Sequence, residues 1–378
     1  MGEPLGVGII GAGAISGQYL ATIEQLSILR LVSVADADPG RAAAAAAGRD
    51  GVAAQTVAEL LARPDVDVVV NLTPPAGHAD VALAALRAGK AVYNEKPLAA
   101  TVELGRQVLR AAEPAGLRVG GAPDTVLGTG VQTARQALDA GLIGEPTAAV
   151  GSFLCPGHEA WHENPDYYYA PGGGPLLDMG PYYVTALVTL LGPVLSVMGA
   201  ANRPRQTRTI ASGPRAGKIV PVSVATHVSA LLTHASGAVS TLTTSFDAVA
   251  MPAGRLEVHG PEGTLSVPDP NYFTGTVRHL PLGAGGSVEG WRDLPVSAGY
   301  TTGGRGLGVA ELMAAAEPAS CRTSGALALH VLDVLESVLL AAEQGRALEI
   351  RSQVGRPAVV PLSTEPGSAD GPWTTAPG

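Results

Sequence analysis

The stretch Ala91-Val92-Tyr93-Asn94-Glu95-Lys96-Pro97 passes from an apolar strand directly into a carboxylate, an ammonium group and a proline. A lysine that ends a strand is ordinarily a solvated charge. Held by proline at the carboxyl end of a parallel strand, it stands instead where open α/β sheets bind ligands, poised to act on a substrate. Thr73-Pro74-Pro75-Ala76-Gly77-His78 ends the strand before it on the same side. Thr73, Pro74, His78, Glu95 and Lys96 are therefore candidate cofactor contacts. A second constellation, Gly11-Ala12-Gly13-Ala14-Ile15-Ser16-Gly17, lies between a short apolar strand and a helical pattern that reaches about Gln25. Gly11, Gly13, Ala14 and Ile15 suit a pyrophosphate cradle, because backbone N–H groups at a helix N-terminus favour negative charge. Asp36, 20 residues beyond Ser16, ends the next strand and would accept from both ribose hydroxyls. Ser16 stands where this fingerprint usually has Gly or Ala, which loosens helix-to-strand packing, with Gly17 beside it as compensation. A carboxylate at position 36 repels the 2′-phosphate of NADP, Ala37 offers no cation, and only Arg41, one turn on, reaches that group. NAD is favoured over NADP.

His158-Glu159-Ala160-Trp161-His162 has the literal form H-E-x-x-H of zinc hydrolases. That chemistry needs a continuous helix with both histidines on one face, a third ligand and an open water site. Pro156-Gly157 before it and Asn164-Pro165 after it leave barely two turns, so a zinc hydrolase is a remote alternative and no metal is expected. The preferred reading is a loop whose Trp161, His162 and Tyr167 to Tyr169 line a pocket for a polar ligand. For His158 an exposed loop position is an equal alternative.

These residues need a scaffold. Apolar strands at Leu5–Ile10, Leu31–Ala35, 66–72, Ala91–Asn94 and 117–119 alternate with helical segments, including 42–47, 79–88 and 102–112. Such alternation indicates a doubly wound parallel sheet covered on both faces. After Asp124 the rhythm changes: a helix over 130–140 is followed by strands at 148–154, 194–201, 222–233, 238–246 and 255–258, separated by turns. This pattern reads as an α+β domain with a mainly antiparallel sheet. The segment 283–308 reads as a glycine-rich loop and 326–343 as an amphipathic helix. The boundaries are 1–124 for the dinucleotide-binding domain, 125–362 for the second domain and 363–378 for an irregular tail.

Composition narrows the partners. The 378 residues are 46% apolar, enough for two cores, and the net charge of -9 is not gathered into basic clusters. Nucleic acid and anionic membrane are excluded in favour of a small molecule. Cys155 and Cys321 are the only cysteines, and no secretory leader precedes Leu5, so a cytoplasmic location is expected. The charge-free run 182–201 has a membrane-like length, but Gly192-Pro193 divides it into a helix and a strand.

Taken together, Gly11-Ala-Gly-Ala-Ile15, Thr73-Pro74-Pro75 with His78, Ala88-Gly89-Lys90, Glu95-Lys96-Pro97, Gly141-Leu-Ile-Gly-Glu-Pro146 and Gly172-Gly-Gly-Pro-Leu-Leu-Asp178-Met-Gly-Pro-Tyr182 resemble the glucose-fructose oxidoreductase/inositol dehydrogenase/rhizopine catabolism (Gfo/Idh/MocA) family. The resemblance spans roughly residues 5–200. It implies an N-terminal Rossmann domain and a C-terminal α+β domain with a large open sheet. It also implies a nicotinamide cofactor that oxidises or reduces a sugar or cyclic polyol, and a homodimer or homotetramer packed through that sheet. It makes Lys96 the catalytic lysine and Asp178 the acid of a D-x-x-x-H motif, with Tyr182 in the histidine's place. A phenol titrating near 10 needs a neighbouring cation to act as a base at neutral pH, and Lys96 is read as that cation. The competing reading for Tyr182 is core packing with Tyr183. Lys96, Trp161, His162, Tyr169, Asp178 and Tyr182 are the expected substrate contacts. The expected reaction moves a hydride between nicotinamide and a secondary carbinol or ketone. The alternatives are a redox-neutral cycle of epimerisation or glycoside cleavage through a transient keto sugar, and a catalytically silent NAD-binding sensor.

Overall fold

The computed structural model describes residues 3–249, 256–283 and 290–367. The chain forms two compact units: Met1–Gln132 with Ser297–Leu332 and Pro357–Gly378, and Thr133–Val296 with Asp333–Arg356.

The first unit is built from β1 (Leu5–Ile10), α1 (Ser16–Ile23), β2 (Leu29–Ala35), α2 (Pro39–Ala46), β3 (Ala53–Gln55), α3 (Val57–Ala62), β4 (Val68–Asn71), α4 (His78–Arg87), β5 (Ala91–Asn94), α5 (Val102–Ala112) and β6 (Val119–Gly121). The strands lie in the order β3-β2-β1-β4-β5-β6, and every pairing is parallel. The order reverses between β1 and β4, the position where doubly wound sheets open a crevice for ligands. Val7, Ile9, Val68, Val69, Val70 and Val92 are fully buried, as expected of strands covered on both faces.

The chain crosses over through α6 (Thr129–Asp139). The second unit then contains β7 (Ala148–Leu154), α7 (Asp166–Tyr169), α8 (Pro175–Leu191), β8 (Val194–Asn202), β9 (Thr207–Thr209), β10 (Ile219–Pro221), β11 (His227–His234), β12 (Val239–Ser245), β13 (Leu256–Gly260), β14 (Gly263–Val267), β15 (Arg278–Pro281) and β16 (Arg292–Asp293). A nine-stranded sheet has the order β16-β15-β14-β13-β7-β12-β11-β8-β17, with β17 at Leu348–Glu349. All its pairings are antiparallel except β7 with β12. Helix α8 covers one face, against β7, β11 and β12. The strand expected over 255–258 is β13; Arg255, the rest of 250–255, and the tail from 368 on lie outside the described residues.

The glycine-rich segment 283–308 is not loop throughout, because β16 and the start of α9 (Leu307–Ala314) fall within it, while 284–289 lie outside the described residues. The charge-free run 182–201 is split as expected: α8 stops at Leu191 and β8 starts at Val194. Among the described residues the helix long and apolar enough to cross a membrane is another, α10 (Gly325–Gln344), and 56% of its most apolar window is buried inside the fold. Its first turns supply Ala328, Leu329 and Leu332 to the same core cluster as Leu98, Val102 and Val108.

Candidate active site

Gly11 ends β1 with φ +104° and donates its N–H to the Ala35 carbonyl at 2.8 Å. A Cβ there would lie 2.7 Å from the Leu72 carbonyl carbon, so the turn between β1, β2 and β4 admits only glycine. A Cβ on Gly13 would meet nothing within 4 Å. That open space lies at the head of α1, as a pyrophosphate requires. Asp36 follows β2 and closes the cradle. One carboxylate oxygen accepts the Ala12 N–H at 2.7 Å, and the other accepts the Asp38 N–H at 2.8 Å. Ser16 is buried and its hydroxyl donates to the Gly13 carbonyl at 2.7 Å. The side chain at the fingerprint's third position thus ties the loop down, and Gly17 is exposed with nothing near its Cβ position, so it does not supply the close packing expected of it. Arg41 is exposed on α2, with its guanidinium 3.6 Å from Asp38. The residues present fit a dinucleotide: N–H groups at Gly13, Ala14 and Ile15, a turn at Gly11 that only glycine allows, and a carboxylate held beside them.

At the ends of β4 and β5 the polar residues hold one another. Thr73 donates its hydroxyl to Asn71, and the Asn71 amide donates to Asn94 at 3.0 Å. His78 is wholly buried, with Nδ1 2.6 Å from the Pro97 carbonyl and Nε2 2.7 Å from the Thr73 carbonyl. Burial pushes its pKa below the usual histidine value, against the two carbonyls. Its ring therefore staples the Thr73-Pro74 turn to the Lys96-Pro97 turn and presents no atom to a ligand. Glu95 is buried, accepting the Tyr19 hydroxyl at 2.9 Å and the Lys96 N–H at 2.6 Å. Burial, then the Glu95 charge, push the Tyr19 phenol far up, so it remains a donor. Lys96 is half-buried and starts from a backbone fixed by these bonds.

In the second unit, Asp178 occupies the first turn of α8, where the helix dipole favours a carboxylate, and Tyr182 lies one turn further on. The Asp178 side chain is 15% exposed, Tyr182 5% and Tyr183 not at all. The H-E-x-x-H segment is a single 3₁₀ turn, His158–Ala160, rather than a helix. Its glutamate is turned inward: Glu159 accepts from the Tyr169 hydroxyl and, at 2.9 Å, from Arg208, which also binds Asp247 at 2.5 Å. Gly157 before it has φ +108°, and a Cβ there would sit 2.3 Å from Glu159 Oε2. His158 is buried, not exposed, and its Nε2 lies 3.0 Å from Asp178 Oδ2. The geometry leaves no base and no paired histidines for a zinc hydrolase. Among the described residues no group of three or more His, Cys, Asp or Glu could hold a metal ion.

The remaining pocket residues separate. Trp161 is 61% exposed and edge-on to His162 at 5.3 Å, whereas Tyr169 is fully buried under Arg208. Tyr169 is thus an anchor of the loop and not a wall of a pocket. The bond between His158 and Asp178 was not foreseen, because nothing in local spacing joins a loop residue to a helix residue 20 positions later.

Residues 5–121 match the model of the oxidoreductase family with an NAD-binding Rossmann fold, and residues 131–266 match the GFO/IDH/MocA C-terminal domain. The chain belongs to the Gfo/Idh/MocA family. It is 30% identical over 263 residues to the 1,5-anhydro-D-fructose reductase of Ensifer adhaerens, covering 68% of this chain and 74% of that protein. It is also 30% identical over 259 residues to the inositol 2-dehydrogenase of Rhizobium meliloti (strain 1021), with the same coverage of each chain, 68% and 74%. Among solved structures, an NAD-binding oxidoreductase from Klebsiella pneumoniae superposes with TM-score 0.78 at 24% identity, over 93% of this chain and 100% of that one. Levoglucosan dehydrogenase in complex with NADH does so with TM-score 0.76 at 21% identity and the same coverage; at these identities both show the fold. This Gfo/Idh/MocA chain is an NAD-binding oxidoreductase.

Proposed function

We propose that this Gfo/Idh/MocA enzyme oxidises or reduces a secondary hydroxyl or ketone of a sugar, sugar derivative or cyclic polyol. The observation that carries this reading is that two relatives matched across 74% of their length bear the names of a polyol dehydrogenase and an anhydrosugar reductase. NAD, when bound, supplies the hydride acceptor or donor at its nicotinamide ring. The N–H groups of Gly13, Ala14 and Ile15 hold its pyrophosphate, Gly11 shapes the turn that lets it approach, and Asp36 takes the ribose hydroxyls, NAD being preferred to NADP. Thr73, Pro74 and Glu95 shape the cofactor's place with Lys96, while His78 supports them from below. Tyr182 exchanges the hydroxyl proton, Lys96 stabilises the alkoxide as it forms, and Asp178 orients the substrate. Trp161 and His162 offer aromatic and polar surface to the sugar.

We further propose a cytoplasmic homodimer or homotetramer, assembled through the uncovered face of the nine-stranded sheet. Both cysteines are free thiols, in keeping with a reducing compartment. A spectrophotometric screen of NAD and NADP against sugars, inositols and their keto forms tests the function. Reduction of NAD by at least one polyol is expected. Failure of hydride transfer across the whole panel would sink the reading.

A further inference from the structure

The motif that function did not absorb is the loop histidine. His158 stands with its ring between Tyr168, centroid 4.0 Å away, Phe246 at 4.6 Å and Trp161 at 5.2 Å. Three aromatic neighbours fix the plane of the imidazole and so the direction in which its nitrogens point. Nε2 points to Asp178 Oδ2 at 3.0 Å, while Nδ1 is buried and has no hydrogen-bond partner among the described residues. The carboxylate is therefore the ring's polar contact, and Nε2 carries the donated proton. The loop that carries His158 is itself anchored. Glu159, the next residue, is held by Arg208, whose side chain is 1% exposed, and its carbonyl accepts the Ala211 N–H at 2.9 Å. Gly157 on the other side admits no side chain.

The groups around the pair do not compete for its proton. Burial, then the Asp178 charge, push the Tyr168 phenol far above its usual value. The Cys155 thiol is pushed up mainly by burial, with Asp178 and Glu159 adding to it. Neither is an acid or base near neutral pH, and the hydrogen bond that joins this loop to the Asp178 carboxylate comes from His158.

We propose that His158 is a positioning residue for the reaction. By donating Nε2–H to Asp178 it fixes the plane of the carboxylate that meets the substrate hydroxyl, one turn before Tyr182. The imidazole reaches Asp178 from the 158 loop, 20 positions earlier in the chain. The inference deepens the proposed function and rests on the role of Asp178 given there.

Two replacements of opposite kind test it. His158→Phe keeps a ring among the three aromatic neighbours but donates nothing, while His158→Gln keeps an N–H near the position of Nε2 but loses the ring. If the residue only fills space, Phe should be the milder change. If it positions Asp178, His158→Phe should lower kcat by roughly 10- to 100-fold, the range for a misplaced catalytic group. NAD affinity should stay unchanged, and His158→Gln should recover most of the loss. Phe turning over as well as wild type, or better than Gln, would overturn the proposal. Wild-type turnover on the polyol panel is measured first, since its absence defeats the dehydrogenase reading and not the pairing. The pairing is read separately, from a melting cycle of His158→Phe, Asp178→Asn and the double variant. A coupled, less than additive loss of stability is expected, and strictly additive losses would overturn the pair whatever the substrate.

Discussion

Asp36 has two tasks that substitution can separate. Its oxygens tie down the Ala12 and Asp38 N–H groups, and in the proposed complex they also take the ribose. Asp36→Ala should cost about 1.5–3 kcal/mol of NAD binding, roughly one to two decades of affinity, while NADP loses less or gains. Calorimetric titration of both cofactors checks this, and wild-type protein that binds NADP more tightly would shift attention to Arg41. For the chemistry, Tyr182→Phe and Lys96→Ala should each lower kcat by about 10²–10⁴, as expected for a positioned acid–base group. Because Lys96 is proposed to make the phenol a base, the double variant should be little worse than the poorer single one in steady-state kinetics. Independent, multiplicative losses would break that coupling. Gly11, Asp36 and Lys96 were legible because each lies at a fixed distance from a strand end, so local pattern carries their placement. The aromatic loop was not. Tyr167 and Tyr169 are two residues apart on α7, yet one is 57% exposed and the other wholly buried. Which tyrosine turns inward is decided by Arg208 and Glu159, neighbours only in the folded chain.

At the level of elements, the turn after β6 is held by a buried acid. Asp124 is fully buried and accepts the Gly306 and Gly308 N–H groups at 2.8 and 3.0 Å, binding the segment that leads into α9. Burial outweighs those donors and Arg305 and raises its pKa from 3.8 to about 6. With the folded value above the unfolded one, the native state holds the extra proton between those two pH values. Stability should therefore fall as pH rises through that window, by up to roughly 3 kcal/mol, and the cost should persist above it. Asp124→Asn keeps an acceptor and removes the charge. Its melting temperature relative to wild type should climb between pH 3.8 and about 6 and then level off; an offset independent of pH would show that the carboxyl does not titrate there. Elements with strong internal pattern were readable to the residue, as in β5, α5 and β7. β3 and α3 were silent, since a three-residue strand exists only through pairing with β2 and a six-residue helix shows too little periodicity. β14 to β16 were missed for the same reason: short strands acquire their identity from partners.

On the scale of the molecule, the change of rhythm after Asp124 is visible in the sequence, but the return of Ser297–Leu332 to the first unit is not. It depends on distant bonds, such as Arg118 to the Leu312 and Ala315 carbonyls and the Gly306 and Gly308 N–H groups to Asp124, which no local pattern announces. The face of the large sheet away from α8 raises the last question. Strand pairing places Met198, Leu231, Thr241, Val150 and Glu257 in one row across β8, β11, β12, β7 and β13. Within that row Met198 is 49% exposed, Val150 48% and Leu231 39%. Val197, Ala230, Leu232, Ala149 and Gly151, which alternate with them along the strands, point the other way and are buried, so the exposed row is the second face of a sheet whose first face is already covered. Exposed apolar side chains gathered on one sheet face mark an interaction surface. One flat face used twice gives a two-fold, self-complementary interface, the commonest way identical chains assemble. A charge placed in its centre is then buried twice, once from each chain, with no partner of opposite sign. Met198→Glu combined with Val150→Glu should halve the mass seen by light scattering or sedimentation while leaving NAD affinity intact, because neither side chain belongs to the first unit. A wild-type monomer at micromolar concentration, or a double variant that keeps the wild-type mass, would place the assembly on another surface.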